Sequence, residues 1–198
     1  MNKNHSVIFI PGLGDKTGIL KILTNHWKKR GLHLIFHAVG WQDGEDFQPK
    51  LNRLLDFVDQ LTKNDGRVSI VGTSAGGSAA LNAFIKRRNK IHKIINVCGR
   101  LRTGPEKGIR SFQTTTTPSR AFAQAVKLAE AQEHTLSKAD RKRVMTVRAR
   151  FGDQLVPAET TFLDGAYNTS IPTAEHMLSI GAALSLFSKP ILKFLQKD

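Results

Sequence analysis

Val68-Ser69-Ile70-Val71-Gly72-Thr73-Ser74-Ala75-Gly76-Gly77-Ser78-Ala79-Ala80 decides the fold of this 198-residue chain. The β-branched run from Arg67 to Val71 reads as a strand buried in a parallel sheet. Ala75 to Lys86 reads as a helix built from small residues. The joint between them is Gly72-Thr73-Ser74-Ala75-Gly76, a G-x-S-x-G pentapeptide. A strand that turns straight into a helix does so through one residue at positive φ, which is costly for serine. The flanking glycines remove side chains that would collide across the turn. The Ser74 hydroxyl is then exposed at a helix N-terminus, where a backbone N–H and the dipole favour a developing oxyanion. The pattern alone is short; the strand before and the helix after give it meaning. The bland reading is a close-packed turn in which Ser74 is incidental.

Outward from this turn the same alternation continues. Ser6–Ile10 is an apolar strand stopped by Pro11-Gly12, and Thr17–Arg30 is a helix with Ile19, Leu20, Leu23 and Trp27 at helical spacing. Leu32–Val39 reads as a strand and Phe47–Thr62 as a helix. Beyond the turn come a strand at His92–Val97, an irregular stretch at Gly99–Pro118 and a helix at Ser119–Glu133. Ser137-Lys138-Ala139-Asp140 has the form of a capping box. Strands at Val144–Phe151 and Tyr167–Ile171 precede a helix over Glu175–Phe187 that Pro190 bends or restarts. Strand–helix alternation implies an α/β fold, a parallel sheet with helices on both faces and right-handed crossovers. Ligands in such sheets meet the loops at the carboxyl ends of strands.

Composition sets the bounds. Hydrophobic residues make up 40% and charged residues 23%, which suits one globular domain over 1–198 and excludes dominant disorder. Met177–Phe187 is too short to cross a bilayer, and the N-terminus lacks the features of a secretory signal. A lone cysteine, Cys98, forbids an intrachain disulfide, so a cytoplasmic soluble protein is expected. The charge is less ordinary. Thirty Lys and Arg against 16 Asp and Glu give +14, which favours anionic partners in general or simply solubility. Three basic clusters, at 28–30, 86–90 and 141–143, fall near helix ends, where cations complement the macrodipole.

Ser74 needs a base, since a free hydroxyl is a poor nucleophile at neutral pH. Seven histidines are available. His5, His33 and His92 lie at the wrong edge of the sheet, and His26 and His134 fall in or after helices. His37, near a strand end, could point toward the cleft. His176 follows the last strand at the start of the final helix and is the best-placed base. Asp153, in Gly152-Asp153-Gln154-Leu155-Val156-Pro157 after the preceding strand, is the candidate that orients it. Glu159, Asp164 and Glu175 compete, but none sits directly at a strand end. Two backbone donors complete the set: the N–H of Ala75 after the nucleophile, and that of Leu13 in Pro11-Gly12-Leu13-Gly14-Asp15 after the first strand.

Taken in this order, the oxyanion loop Ile10–Gly14, the elbow Gly72–Gly76, the acid turn 152–157 and His176 resemble the α/β-hydrolase superfamily over nearly the whole chain. The resemblance implies a three-layer α/β/α sandwich with a six-stranded, mainly parallel sheet in order 2-1-3-4-5-6. It also implies a small cap excursion over 99–143, between strands 4 and 5. Two departures are evident: Pro11-Gly12 stands where many relatives carry His-Gly, and Glu175 stands where many carry Gly. The expected activity is cofactor-free and metal-free hydrolysis of an ester or thioester through an acyl-enzyme on Ser74. The expected partner is a small acyl substrate, possibly anionic, with no specific nucleic acid. Its acyl pocket is expected from residues 99–143 and Trp41.

Two alternatives stand beside this. A dinucleotide-binding protein would use Gly12–Gly18, but that loop has one residue more than G-x-G-x-x-G, and no acid closes the second strand. A P-loop would need adjacent Gly-Lys-Thr, which Gly14-Asp15-Lys16-Thr17 breaks. A non-catalytic basic binding module of the same fold is the second alternative.

Overall fold

The structure, a computed structural model, describes residues 5–63 and 66–197. Six strands form one wholly parallel sheet: β1 (His5–Ile10), β2 (Leu32–Phe36), β3 (Arg67–Thr73), β4 (Ile91–Val97), β5 (Val144–Ala149) and β6 (Tyr167–Ile171). Their spatial order is β2-β1-β3-β4-β5-β6. The register sets Ile10 beside Gly72 and Thr73 beside Val97, so β1, β3 and β4 end together at one rim. That rim holds the Gly72–Gly76 turn that carries Ser74.

Two helical layers cover the sheet. Helices α2 (Phe47–Lys63), α3 (Ala75–Lys86) and α5 (Arg120–Gln132) share one core with Ile8, Val68, Ile70 and Ile94. Helices α1 (Thr17–Thr24), α7 (His176–Leu184) and α8 (Lys189–Gln196) share the other with Val7, Phe9, Val71 and Ile95. Adjacent strand residues thus feed opposite cores, as the two-residue period of a strand buried on both faces requires. Truncating a fully buried member such as Leu51 or Ile70 to alanine should cost about 2–5 kcal/mol.

Two short helices, α4 (Phe112–Thr116) and α6 (Lys138–Arg141), complete the set. Ser137 and Asp140 form the reciprocal capping box at α6. Within the stretch 99–143, helix α5 buries Ala121, Phe122, Ala125, Val126 and Ala129 in the core against α3, and 99–111 holds no helix or strand.

Helix α1 is shorter than the expected Thr17–Arg30. The Thr24 hydroxyl bonds back to the Leu20 carbonyl, and the chain tightens into a 3-10 segment over Asn25–Arg30 that ends at Gly31 with φ 75°. Trp27 anchors that segment, its indole N–H donating to the Leu184 carbonyl at 3.0 Å. Strand β2 stops at Phe36 rather than Val39, because the Val39 N–H leaves the ladder to donate to Asp15. Among the described residues no single helix is long and apolar enough to cross a membrane; α7 and α8, though apolar together, bend by 55° and bury one side in the core.

Candidate active site

Ser74 sits between β3 and α3 at φ 52° and ψ −122°. Its N–H donates to the Val97 carbonyl at 3.0 Å, and its carbonyl accepts from the Gly77 N–H at 3.0 Å, so the turn is tied to β4 and to α3. A Cβ on Gly72 would run into the Gly76 carbonyl oxygen, and one on Gly76 into that of Ile10. Both glycines are therefore required by close approach, which is how the strained serine conformation is held.

His176 opens α7, 102 residues after Ser74, and its Nε2 lies 2.9 Å from the Ser74 Oγ. The other ring nitrogen, Nδ1, lies 2.7 Å from Asp153 Oδ2. The Asp153 Oδ1 accepts the Leu155 and Val156 N–H groups at 2.8 and 2.9 Å, an Asx turn that fixes the carboxylate after β5. Burial opposes ionisation of Asp153, but the bond to His176, its charge and those two N–H donors outweigh it and hold the carboxyl below its ordinary range. An ionised Asp153 accepts from Nδ1–H, which leaves Nε2 free to accept the serine proton. Both side chains are shielded, at 2% and 7% exposure.

The remaining candidates lie elsewhere. His5 bonds Ser69 at 2.9 Å at the opposite end of the sheet, beside His92. His37 stacks on Phe57 instead of facing the serine, and burial first, then Arg53, lowers its pKa. Glu159 is exposed on a short 3-10 turn. The carbonyl of Asp164 accepts from Arg141 at 2.9 Å. Glu175 turns away from the imidazole to cap α7, accepting from the Met177 and Leu178 N–H groups at 3.1 and 2.6 Å. Its φ is 75°, a conformation that suits glycine, so the carboxylate's capping bonds offset a backbone cost at this position.

The loop after β1 lies against Ser74. A Cβ on Gly12 would stand 2.8 Å from the Ser74 Cβ, so only glycine lets the backbone pass there. Leu13 follows on the cleft wall, and Ala75 begins α3, where first-turn N–H groups lack intrahelical acceptors. Two side chains support this loop in ways the sequence does not announce. Asp15, at φ 47°, accepts the Val39 and Trp41 N–H groups at 2.8 and 2.9 Å. Trp41 donates its indole N–H to the Pro11 carbonyl at 3.1 Å. An acid one residue after a glycine-rich strand-end loop was the available signal for Asp15.

Trp41 corrects an expectation: it is 1% exposed and props the loop from behind instead of lining the pocket. The cleft at Ser74 and His176, of about 670 Å³, opens between α1 and α7 instead of beneath 99–143. Ile19, Leu23, Leu155, Met177, Ile180 and Leu186 give it an apolar wall. Behind Asp153 lies a separate cavity of about 90 Å³ that includes Cys98, whose thiol is pushed up to about 12 by burial and by the Asp153 charge.

No protein-family model matches the chain, and no curated protein matches it. Solved structures do. One from the metagenome-derived lipolytic enzymes LipS and LipT superposes with a TM-score of 0.67 at 12% identity, covering 99% of this chain and 95% of that one. The chain has the α/β-hydrolase fold. A monoacylglycerol lipase of Paleococcus ferrophilus matches with a TM-score of 0.65 at 14% identity, over 96% and 93% of the two chains. Est1E of Butyrivibrio proteoclasticus matches at 0.66 and 17% identity, over 98% and 88%. The turn after β3, the turn after β5 and the loop after β6 meet at one rim of this sheet and bring Ser74, Asp153 and His176 into contact.

Proposed function

We propose that the protein is a serine hydrolase of carboxylic esters or thioesters. The observation that carries this reading is the unbroken chain of contacts from Ser74 Oγ to His176 Nε2, and from His176 Nδ1 to Asp153. The lipolytic and esterase character of structural neighbours supports the reading at the level of reaction class.

In this reading His176 Nε2 takes the Ser74 proton as Oγ attacks the carbonyl carbon. Asp153 keeps the imidazole in the correct tautomer and stabilises the imidazolium without taking the proton. The N–H groups of Leu13 and Ala75 donate to the tetrahedral oxyanion. His176 returns the proton to the leaving alcohol or thiol, and an acyl group remains on Ser74. Water then attacks, giving its proton to His176, and Ser74 leaves with that proton as the acid departs. The apolar cleft between α1 and α7 suits a hydrocarbon portion of the substrate.

The test is turnover of activated esters of graded acyl length. Ser74→Ala should abolish hydrolysis while leaving the fold intact, and unchanged turnover by that variant would refute the assignment. Rates should rise from acetyl toward medium chains as the acyl group fills the cleft. Preference for acetyl alone would contradict the role given to the apolar wall.

A further inference from the structure

The α1/α7/α8 layer has a charge distribution unlike the rest of the molecule. Residues 16–30 and 176–197 together contain eight lysines and arginines and no acidic residue, although the chain has 16 Asp and Glu. Between the 3-10 segment and α8 runs a groove of about 650 Å³ bordered by Arg30, Lys189, Lys193 and Lys197. Among the described residues none of these four has a carboxylate partner. Elsewhere several basic residues are paired: Arg87 and Lys90 with Asp59, and Arg88 with Asp140.

Large apolar side chains stand exposed on the same layer. Ile22 on α1 is 78% exposed, Leu186 after α7 is 84% exposed, and Met177 and Leu178 are each more than half exposed. Leu186 and Ser185 border both the apolar cleft and the cationic groove, so the two are contiguous. An apolar rim beside unpaired cations is the pattern of a surface that inserts shallowly among acyl chains while its lysines meet headgroup phosphates. We propose that this layer docks on an anionic phospholipid bilayer, with the cleft mouth facing the membrane. Charge complementarity selects this occupant, because two copies of so basic a face would repel each other.

The proposal does not require hydrolysis, so Ser74→Ala should bind as the unsubstituted protein does, and failure of the hydrolase reading would leave docking standing. The experiment is co-sedimentation with vesicles of phosphatidylcholine alone, or with about one-third phosphatidylglycerol, at low and high salt. The protein should sediment with the anionic vesicles only, and less at high salt. The double substitution Lys189→Glu/Lys193→Glu should weaken binding about 10-fold or more, and Ile22→Asp should weaken it several-fold. Both variants should keep their rate on a soluble short-chain ester. Equal binding to neutral vesicles, or no binding to either, overturns the proposal. So does full retention by Ile22→Asp, which would reduce the effect to adsorption of a basic protein on any polyanion, DNA included. A dimer in sedimentation velocity that Ile22→Asp dissociates would assign the face to a second copy instead.

Discussion

Ser74 occupies φ 52°, a conformation that Gly72, Gly76 and the tie to Val97 impose on it. Strain at such a residue is commonly kept because the alternative geometry would lose function. Ser74→Gly should therefore be inactive yet more stable than Ser74→Ala by about 1 kcal/mol in urea unfolding, since only glycine is unstrained there. Equal stabilities would mean the turn is relaxed. Asp153→Asn should keep the fold and lose activity by about 10³–10⁴-fold, because an amide can favour the wrong imidazole tautomer. A loss of that size from Glu159→Gln instead would mean that the orienting acid has been misplaced. Ser74, His176 and Asp153 were legible because each follows a strand end in a chain order that constrains its partner. Glu175 was harder. Its positive φ is invisible in a sequence, and its carboxylate reads as a charge beside the imidazole when it is a helix cap.

At the level of elements, the loop after β1 depends on groups far along the chain. Asp15 accepts the Val39 and Trp41 N–H groups, and Trp41 holds Pro11, so the backbone carrying Leu13 is braced from the far side of β2. Asp15→Ala should lower kcat by about 10–100-fold with little change in KM if the brace positions an oxyanion donor. Asp15→Asn, which tolerates the same φ and keeps one acceptor, should fall between. A change confined to KM would show that the loop only binds substrate. Strand and helix order was readable here from β-branched runs and helical spacing. What escaped was which face of a tryptophan meets solvent: Trp41 is apolar and near the rim, but its indole N–H needs a partner when buried and finds Pro11. The shortening of α1 escaped for a similar reason, since it follows from the Thr24 hydroxyl turning back on its own helix.

For the whole molecule, the end of the sheet away from the site contributes to the response to acid. His5 is buried against Ser69 and His92, and burial first, then the charges of His92, Arg67 and Lys93, lower its pKa from 6.5 to about 4. Between those values the unfolded chain binds a proton that the folded chain refuses, so stability falls as pH drops from 6.5 toward 4. Urea midpoints for His5→Asn should depend less on pH across that window than those of the unsubstituted protein; an identical dependence would remove His5 from the account. The sheet order was expected from the resemblance and is observed. The position of the cleft was not, because which helical layer leaves room above Ser74 depends on how α5 packs against α3 and how α1 and α7 part. If His176 and Asp153 make Ser74 a nucleophile, a fluorophosphonate should form one adduct, mapped by mass to the peptide containing Ser74, with labelling slowed at least 10²-fold in His176→Ala. An unlabelled Ser74, or labelling that ignores the loss of His176, would contradict it.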